Sequence, residues 1–166
     1  MTTSYSYDNA NRPTAQSAVK SGQTLQSFNQ TFDAAGNITR LTENGTLTTN
    51  YGYDQLSRLT SENIGGYGNV SYSYDRAGNR LTLDNPTTGH TGYSYNQANQ
   101  LTRRVNGSIT TEYGYNANGA LTQKSDGAAS TTGYTYNGLD KLTQVTTPTS
   151  TVNYAYDALG RKIERS

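Results

Sequence analysis

The sequence predicts an all-β fold of tandem antiparallel β-hairpins that join into one continuous, curved or spiralling sheet. Three observations predict it. An aromatic residue followed by Asp or Asn recurs eight times, in seven copies as Tyr-x-Tyr-Asp/Asn, and a turn residue lies three positions after each Asp or Asn. An apolar residue, usually followed by Thr, comes two or three positions later in all but the first copy. Recurrence at 20–25 residues is typical of repeat architectures. Residues 1–166 are therefore predicted to form a single array of about eight repeats.

The Asp or Asn that ends each motif sets the period. Successive positions are separated by 25, 21, 21, 21, 20, 21 and 20 residues. At the first position of a type I turn, an Asp or Asn side chain accepts hydrogen bonds from turn N–H groups, and Gly at the fourth position takes the positive φ that a following bulge needs. We predict turn roles for Asp8, Asp33, Asp54, Asp75, Asn96, Asn116, Asn137, Asp157, Gly36, Gly78, Gly119 and Gly160.

Fourteen of the fifteen tyrosines occur in the motif pairs, and Tyr67 is the exception. Side chains at i and i+2 of a strand lie on one face, and Leu47, Val70, Ile109 and Val152 extend that face in several repeats. We predict that the paired tyrosines form a structural aromatic ladder and the hydrophobic side of the sheet. The ladder residues are Tyr51, Tyr53, Tyr72, Tyr74, Tyr93, Tyr95, Tyr113, Tyr115, Tyr134, Tyr136, Tyr154 and Tyr156.

Turn signals also occur between the repeats. Asn44-Gly45, Gly65-Gly66, Asn106-Gly107 and Asp126-Gly127 favour tight hairpin turns on the opposite edge of the sheet. Two strands per repeat give about 15 or 16 antiparallel strands, with almost no support for helix. Pro13 stands where the other repeats enter their second strand, so the first repeat is expected to be irregular.

The repeated motif resembles the YD repeat of the RHS/YD-repeat family. The resemblance is most literal in residues 72–82, YSYDRAGNRLT, and in residues 154–163, YAYDALGRKI. It covers essentially the whole chain in eight in-phase copies. The resemblance implies a continuous β-sheet that spirals into a hollow barrel or shell, as in bacterial toxin complexes, contact-dependent toxins and animal teneurins, with toxic or adhesive activity in other segments.

Charge and hydropathy exclude several classes of function. The 13 basic and 12 acidic residues are dispersed and give a net charge of +1, so we expect no nucleic-acid partner. No run of 18 apolar residues predicts a membrane span, and the N-terminus lacks the features of a signal peptide. The resemblance nevertheless implies an extracellular or bacterial cell-surface location.

No constellation of residues predicts catalysis, a metal site or a cofactor. The sole histidine, His90, is interpreted as a solvated residue of a turn between repeats. The recurring acidic residues do not have the spacing of a calcium loop, because three of the eight positions are Asn, and turn capping explains them better.

We therefore predict a structural scaffold or shell-forming segment that assembles with copies of itself, as a tube or filament, or with adjoining segments of a larger repeat protein, including a toxin-encapsulating shell. Two alternatives remain open at this point. Tyr67 and surface tyrosines could stack on sugars in a carbohydrate-binding adhesion module. Low charge and high β-propensity also suit a functional amyloid, although frequent turn signals oppose long stacked strands.

Overall fold

In a computed structural model of the chain, residues 1–127 and 130–166 are described, and these form sixteen β-strands and no helix. The strands are β1 (Thr2–Tyr7), β2 (Pro13–Lys20), β3 (Gln23–Phe32), β4 (Ile38–Glu43), β5 (Leu47–Tyr53), β6 (Leu59–Ile64), β7 (Gly68–Tyr74), β8 (Arg80–Asn85), β9 (Gly89–Tyr95), β10 (Leu101–Asn106), β11 (Ile109–Tyr115), β12 (Leu121–Asp126), β13 (Thr131–Tyr136), β14 (Leu142–Thr146), β15 (Thr151–Tyr156) and β16 (Lys162–Arg165).

The strands form one antiparallel sheet in the order in which they occur along the chain. Each repeat is a hairpin, from repeat 1 (β1 and β2) to repeat 8 (β15 and β16), and short connections suffice for such an order. The sheet is not closed, because β1 and β16 stand at the two ends of the strand order. The predicted all-β sheet of consecutive hairpins is confirmed. No helix in the described ranges could cross a membrane.

By its internal contacts the chain divides into two compact parts. The first comprises Met1–Ser73 and Leu83–Thr88, and the second comprises Tyr74–Thr82 and Gly89–Ser166. The first part holds repeats 1 to 3 entirely, and the second holds repeats 5 to 8. Within each part the same pairing pattern recurs from hairpin to hairpin.

A β-bulge follows the turn in every repeat whose hairpin pairing is described. We count positions from the turn Asp or Asn, which is position 0. In repeat 3, Tyr53 at position −1 pairs with Leu59 at +5, and Gly52 at −2 pairs with Ser61 at +7, so Thr60 at +6 has no residue opposite. The same shift occurs in repeats 1, 2, 5, 6, 7 and 8. In repeats 2, 3, 5, 6 and 7 the bulge residue at +6 is thus the Thr that follows Leu or Ile.

The loops on the opposite edge are tight turns, as their Gly-containing signals indicate. Asn44 and Gly45 both have positive φ, at 50° and 71°, whereas Gly107 alone has positive φ, at 57°, in the two-residue loop between Asn106 and Ile109. These are the conformations of primed hairpin turns, whose twist matches that of the flanking strands.

Repeat 1 differs from the others in strand length and not in its turn. Asp8 donates its N–H to the Arg12 carbonyl at 3.0 Å, as in the other repeats, and Pro13 pairs with Tyr7 at the bulge. The additional residues lengthen β2 and β3, which carry a further bulge between Ala18 and Val19. The irregularity therefore lies toward the opposite edge and not at Pro13, which pairs with Tyr7 as the +5 residue does in the other repeats whose pairing is described.

One face of the sheet carries the tyrosines, and we call it the Tyr face. Its most buried residues lie at position −5, two residues before the first aromatic of the pair, where the side chain shares the tyrosine face. Among the described residues Val70 is the one buried apolar residue, and the other buried ones are Thr49, Thr91 and Thr111. The Tyr face therefore has a row of β-branched residues at its centre. Of the aliphatics expected there, Ile109 is 57% exposed.

The buried threonines of repeats 5 and 6 satisfy their hydroxyls across the sheet. Thr91 accepts a hydrogen bond from Asn106 Nδ2 at 3.0 Å, and Thr111 donates to Asp126 Oδ1 at 2.5 Å. Asp126 also forms an ion pair with Lys124 at 2.6 Å. Buried hydroxyls require such partners, since desolvation without a hydrogen bond is unfavourable.

We expect Thr111→Val and Thr49→Val to differ in stability although both sites are buried. Thr111 is fully buried and donates to Asp126, so the valine should lower the free energy of unfolding by about 1 kcal/mol. Thr49 makes no described side-chain hydrogen bond, and Val70 occupies the equivalent position, so Thr49→Val should be neutral or stabilising. Urea unfolding measures both. Equal losses at the two sites would contradict this assignment.

Candidate functional site

The eight Asp or Asn turns share one set of backbone hydrogen bonds. In each, the position 0 N–H donates to the carbonyl at +4, and the N–H at +3 donates to the position 0 carbonyl, at 2.9–3.3 Å. The residue at +3 always has positive φ. Four of these are the predicted glycines Gly36, Gly78, Gly119 and Gly160, and the others are Asn11, Ser57, Asn99 and Asp140.

The position 0 side chain closes the turn. Asp54 Oδ1 accepts the N–H groups of Leu56 and Arg58 at 2.9 and 3.0 Å, and its Oδ2 accepts Arg58 Nε at 2.7 Å. The Asn turns keep the first part of this arrangement. Asn116 Oδ1 accepts the N–H groups of Asn118 and Ala120 at 3.0 and 2.9 Å. An amide oxygen and a carboxylate oxygen therefore hold the same turn.

Hydrogen bonding lowers the pKa of the turn carboxylates. The backbone N–H of Arg58 is the main cause of a lowered pKa at Asp54, and the side-chain amide of Asn37 is the main cause at Asp33. Both lie below the ordinary pKa of 3.8 because N–H donors stabilise the charged form. The pKa is lowered in the same way at Asp8, Asp75 and Asp157.

Side chains at +4 connect four of the turns to the turn of the next repeat. Arg12 bridges its own Asp8 and the carbonyl of Asp33, with Nη1 to oxygen at 3.0 Å. Asn37 Nδ2 donates to Ser57 Oγ at 3.1 Å. In the second compact part, Asn79 Nδ2 donates a hydrogen bond to Asn99 Oδ1 at 2.9 Å, and Gln100 Nε2 donates to the Gly119 carbonyl at 3.2 Å.

The second tyrosine of five pairs makes the other contact between repeats. Its hydroxyl donates to the backbone carbonyl at +5 of the preceding repeat, where the second strand begins. These hydrogen bonds run from Tyr53 to Ile38 at 2.9 Å, Tyr95 to Arg80 at 3.0 Å, Tyr115 to Leu101 at 2.9 Å, Tyr136 to Leu121 at 2.8 Å and Tyr156 to Leu142 at 2.8 Å. Burial raises the pKa of Tyr53, Tyr95, Tyr115 and Tyr136.

The first tyrosines of the pairs have a different environment. The strand opposite each supplies a residue at +8, so the tyrosines of successive repeats do not face each other directly. The pairs are Tyr51 with Glu62, Tyr93 with Arg104, Tyr113 with Lys124, Tyr134 with Val145 and Tyr154 with Arg165. Other contacts to these rings are polar as well, with Tyr72 donating to Glu62 and Arg80 lying 4.7 Å over the ring of Tyr93.

The remaining sequence candidates lie away from these contacts. His90 is exposed, as expected, but it lies in β9 and not in the turn between repeats, because β9 begins at Gly89. Tyr67 is 73% exposed in the loop before β7. Within residues 1–127 and 130–166, no three His, Cys, Asp or Glu residues are grouped so as to hold a metal ion.

The sequence showed which residue types recur at the contact positions between repeats, but it did not predict the contacts themselves. The polar residue at +4 formed part of the recognised motif, but its reach to the next turn depends on strand spacing and was not predicted. The row at −5, which is buried in repeats 3 to 6, carries Thr or Val in seven repeats: Thr3, Thr49, Val70, Thr91, Thr111, Thr132 and Val152. This recurrence was a usable signal, which a search for large aliphatic residues overlooked.

Comparison with known proteins agrees with this architecture. The family model described as Teneurin YD-shell matches residues 1–166. The crystal structure of TcdB2-TccC3-TEV is similar with a TM-score of 0.79 at 18% identity, over 99% of this chain and 11% of that chain. A Photorhabdus luminescens Tc holotoxin pore has a TM-score of 0.78 at 18% identity, over 98% of this chain and 11% of that chain.

The likeness to these structures is one of fold. A crystal structure of TcdB2-TccC3-Cdc42 is also similar, with a TM-score of 0.57 at 18% identity, over 97% of this chain and 9% of that chain. The chain thus spans about a tenth of the solved chains that it matches. Sequence comparison with curated proteins gave no match.

We expect Tyr136→Phe to lower the free energy of unfolding by about 1 kcal/mol, because it removes a hydrogen bond between repeats 6 and 7 and leaves the Leu121 carbonyl without that donor. Tyr134→Phe is the matched control, since the Tyr134 hydroxyl makes no described hydrogen bond. Chemical unfolding of both variants checks the difference. An equal effect of the two would show that the hydroxyl contact contributes nothing.

We expect stability to fall in acid through the turn carboxylates. A group whose folded pKa is depressed contributes stability that is present above its ordinary pKa and is lost as the pH falls through the folded pKa. The free energy of unfolding should therefore decrease as the pH is lowered below 3.8. Asp54→Asn should make this decrease shallower, because Asn keeps the Oδ1 acceptor without a titrating group.

The converse variant is Asn137→Asp, which adds a carboxylate to a turn of the same geometry. It should make the decrease in acid steeper. Urea unfolding of the three proteins at pH 7 and near pH 3 gives the comparison. Parallel pH profiles for all three would mean that these carboxylates titrate alike in the folded and unfolded chains.

Proposed function

Because the chain belongs to the teneurin YD-shell family, we propose that it is one stretch of wall in a larger shell whose adjoining segments continue the sheet at β1 and β16. Its function is structural, that of a shell-forming repeat segment. A segment of a shell wall has a structural role, so the function that we propose is non-enzymatic and uses no cofactor.

The observation that carries this proposal is the repeated set of contacts between hairpins. Five junctions, those between repeats 1 and 2, 2 and 3, 5 and 6, 6 and 7, and 7 and 8, combine a strand ladder with a Tyr hydroxyl bond, a +4 side chain on the next turn, or both. A repeat therefore contacts mainly its two neighbours, as in other repeat proteins, where stability is a sum over repeats and their junctions. Such a sheet can be extended by further repeats without a new kind of contact.

The likeness to Tc toxin structures supports the setting that we propose. Those chains are much longer, and one of the structures is named as a Tc holotoxin pore. We infer that this chain works with adjoining segments of a larger repeat protein, in a toxin-associated particle outside the cell or at the bacterial cell surface. That residues 1–166 act there as a single array remains a prediction, as do the structural roles of the turn and ladder residues.

Carbohydrate binding stays an alternative with weaker support. Tyr5, Tyr7 and Tyr67 are exposed aromatics, at 54%, 56% and 73%, and such surfaces suit stacking on sugars. The second tyrosines of the inner repeats, in contrast, are used in contacts between hairpins. Most of the Tyr repeat is therefore explained by the architecture alone.

A ninth repeat tests the wall proposal directly. We expect that repeating residues 147–166 after Ser166 gives a hairpin that pairs with β16, because this places the new loop at the same distance from the turn as the loop after β14. Amide hydrogen exchange in β16 should slow, and the free energy of unfolding should rise. Arg161, whose side chain is 75% exposed, should approach the 26% of Arg58.

The control carries the same extension in scrambled order. It should leave exchange in β16 unchanged, since it lacks the turn and the tyrosine pair. The proposal would be wrong if the added native repeat stayed as unprotected as the scrambled one, because the edge would then be unable to accept a YD hairpin.

A further inference from the structure

All described junctions between repeats use the same register. Position +7 of one repeat pairs with position −4 of the next, whatever the residues are. The six pairs are Ala15 with Asn29, Arg40 with Asn50, Ser61 with Ser71, Arg103 with Glu112, Gln123 with Gly133 and Gln144 with Asn153. The register is therefore a property of the repeat itself and applies to any pair of YD edges.

The two end strands each lack one neighbour, and their side chains reflect it. Every residue of β1 and of β16 is exposed. Tyr7 has the position of Tyr53 and Tyr115, but its hydroxyl has no described partner and its side chain is 56% exposed. Arg161 has the position of Arg12, yet its side chain is 75% exposed against 33%, and it makes no described hydrogen bond to a following turn as Arg12 does.

These unused groups are complementary between the two ends of the chain. The Tyr7 hydroxyl lacks a carbonyl at +5 of a preceding repeat, and Lys162 at +5 of repeat 8 offers one. Arg161 lacks a following turn, and the Asp8 turn has none before it. Each end thus carries donors or acceptors that are paired at inner junctions. Examples of such pairs are the hydrogen bonds from the Tyr156 hydroxyl to the Leu142 carbonyl and from Arg12 to the Asp33 carbonyl.

We propose that β16 of one copy pairs with β1 of a second copy of this chain, in the register that the inner junctions share. Glu164 at +7 then lies opposite Ser4 at −4, the Tyr7 hydroxyl donates to the Lys162 carbonyl, and Arg161 reaches the Asp8 turn. The inference rests on the proposed function and deepens it, because it makes a second copy of this chain the segment that continues the sheet at each of the two edges. It adds a specific occupant and a residue-level register.

The charges of β16 are compatible with this pairing. Charged residues on an edge strand commonly oppose the addition of another strand. Here, however, Arg165 at +8 has the position of Arg104 and Lys124, and Glu164 at +7 has that of Arg40 and Arg103. All four of those residues lie in strands that are paired on both sides.

The hydrogen-bond pattern identifies the type of pair that Glu164 and Ser4 would form. Within hairpins, Asn153 at −4 and Ser166 at +9 exchange both backbone hydrogen bonds, and Gly65 at +11 donates to Thr48 at −6. Odd positions from +7 onward thus bond within their own hairpin. Across a junction, +7 and −4 form a non-hydrogen-bonded pair, with Cα atoms about 4.5 Å apart. This separation lies within the range of a disulfide.

Disulfide trapping tests the register, and the chain has no cysteine to interfere. Chains carrying Ser4→Cys are mixed with chains carrying Glu164→Cys, oxidised, and analysed by intact mass. We expect the mixed dimer to form several-fold faster than either dimer of identical chains. The matched control pairs Ser6→Cys with Glu164→Cys, which places the thiols on the same face but two residues out of register, about 7 Å apart along the strand.

Circular dichroism under reducing conditions establishes that the three cysteine variants are folded, and Tyr7→Phe in the Ser4→Cys chain should lower the yield of the mixed dimer. Equal trapping in register and out of register would overturn the proposal, as would a monomer at every concentration in sedimentation velocity. If the ninth repeat pairs with β16 but copies do not trap, the wall function stands and only the self-pairing is wrong.

Discussion

The side chain at position 0 of each turn is the contact on which the rest of the sheet depends. Its Oδ1 holds two backbone N–H groups, as Asp54 holds those of Leu56 and Arg58, and this fixes a tight turn with positive φ at +3. This turn places the bulge at +6, and the bulge determines which residues of the two hairpin strands pair beyond it. A shift of one residue would move every side chain to the other face, so this one polar group specifies which face carries the tyrosines.

The sheet buries few apolar side chains. Val70 is the one buried apolar residue in the described ranges, and Thr49, Thr91 and Thr111 fill the same row. The opposite face is also polar, with hydroxyl pairs such as Ser4 with Ser17 at 2.8 Å and Thr42 with Thr48 at 3.1 Å. With 31% hydrophobic residues, the chain relies on backbone ladders and local hydrogen bonds repeated at every hairpin, where a globular domain of this length would rely on a packed core.

The sequence was sufficient for the strands and turns, because both are encoded locally. Tyr at i and i+2, Asp75 or Asn96 at the turn, and Gly78 after it predict a hairpin without knowledge of its neighbours. The contacts between hairpins were not predictable in the same way. The bond from Tyr136 to Leu121 joins residues 15 apart, and its existence follows from a register that only the folded sheet defines. The bulge likewise explains the recurring Thr after Leu, since Thr102 and Thr143 each donate to a carbonyl across the bulge at 3.1 Å.

The uniform register has a consequence for how such a wall can change in length. The first interval is 25 residues and the others are 20 or 21, yet the +7 to −4 pairing is the same at each described junction, because the additional residues lie toward the far loops. A duplication or deletion of one whole repeat in the gene would therefore leave every remaining junction chemically intact. The length of the sheet can therefore change by whole repeats, while point substitutions adjust its two surfaces independently.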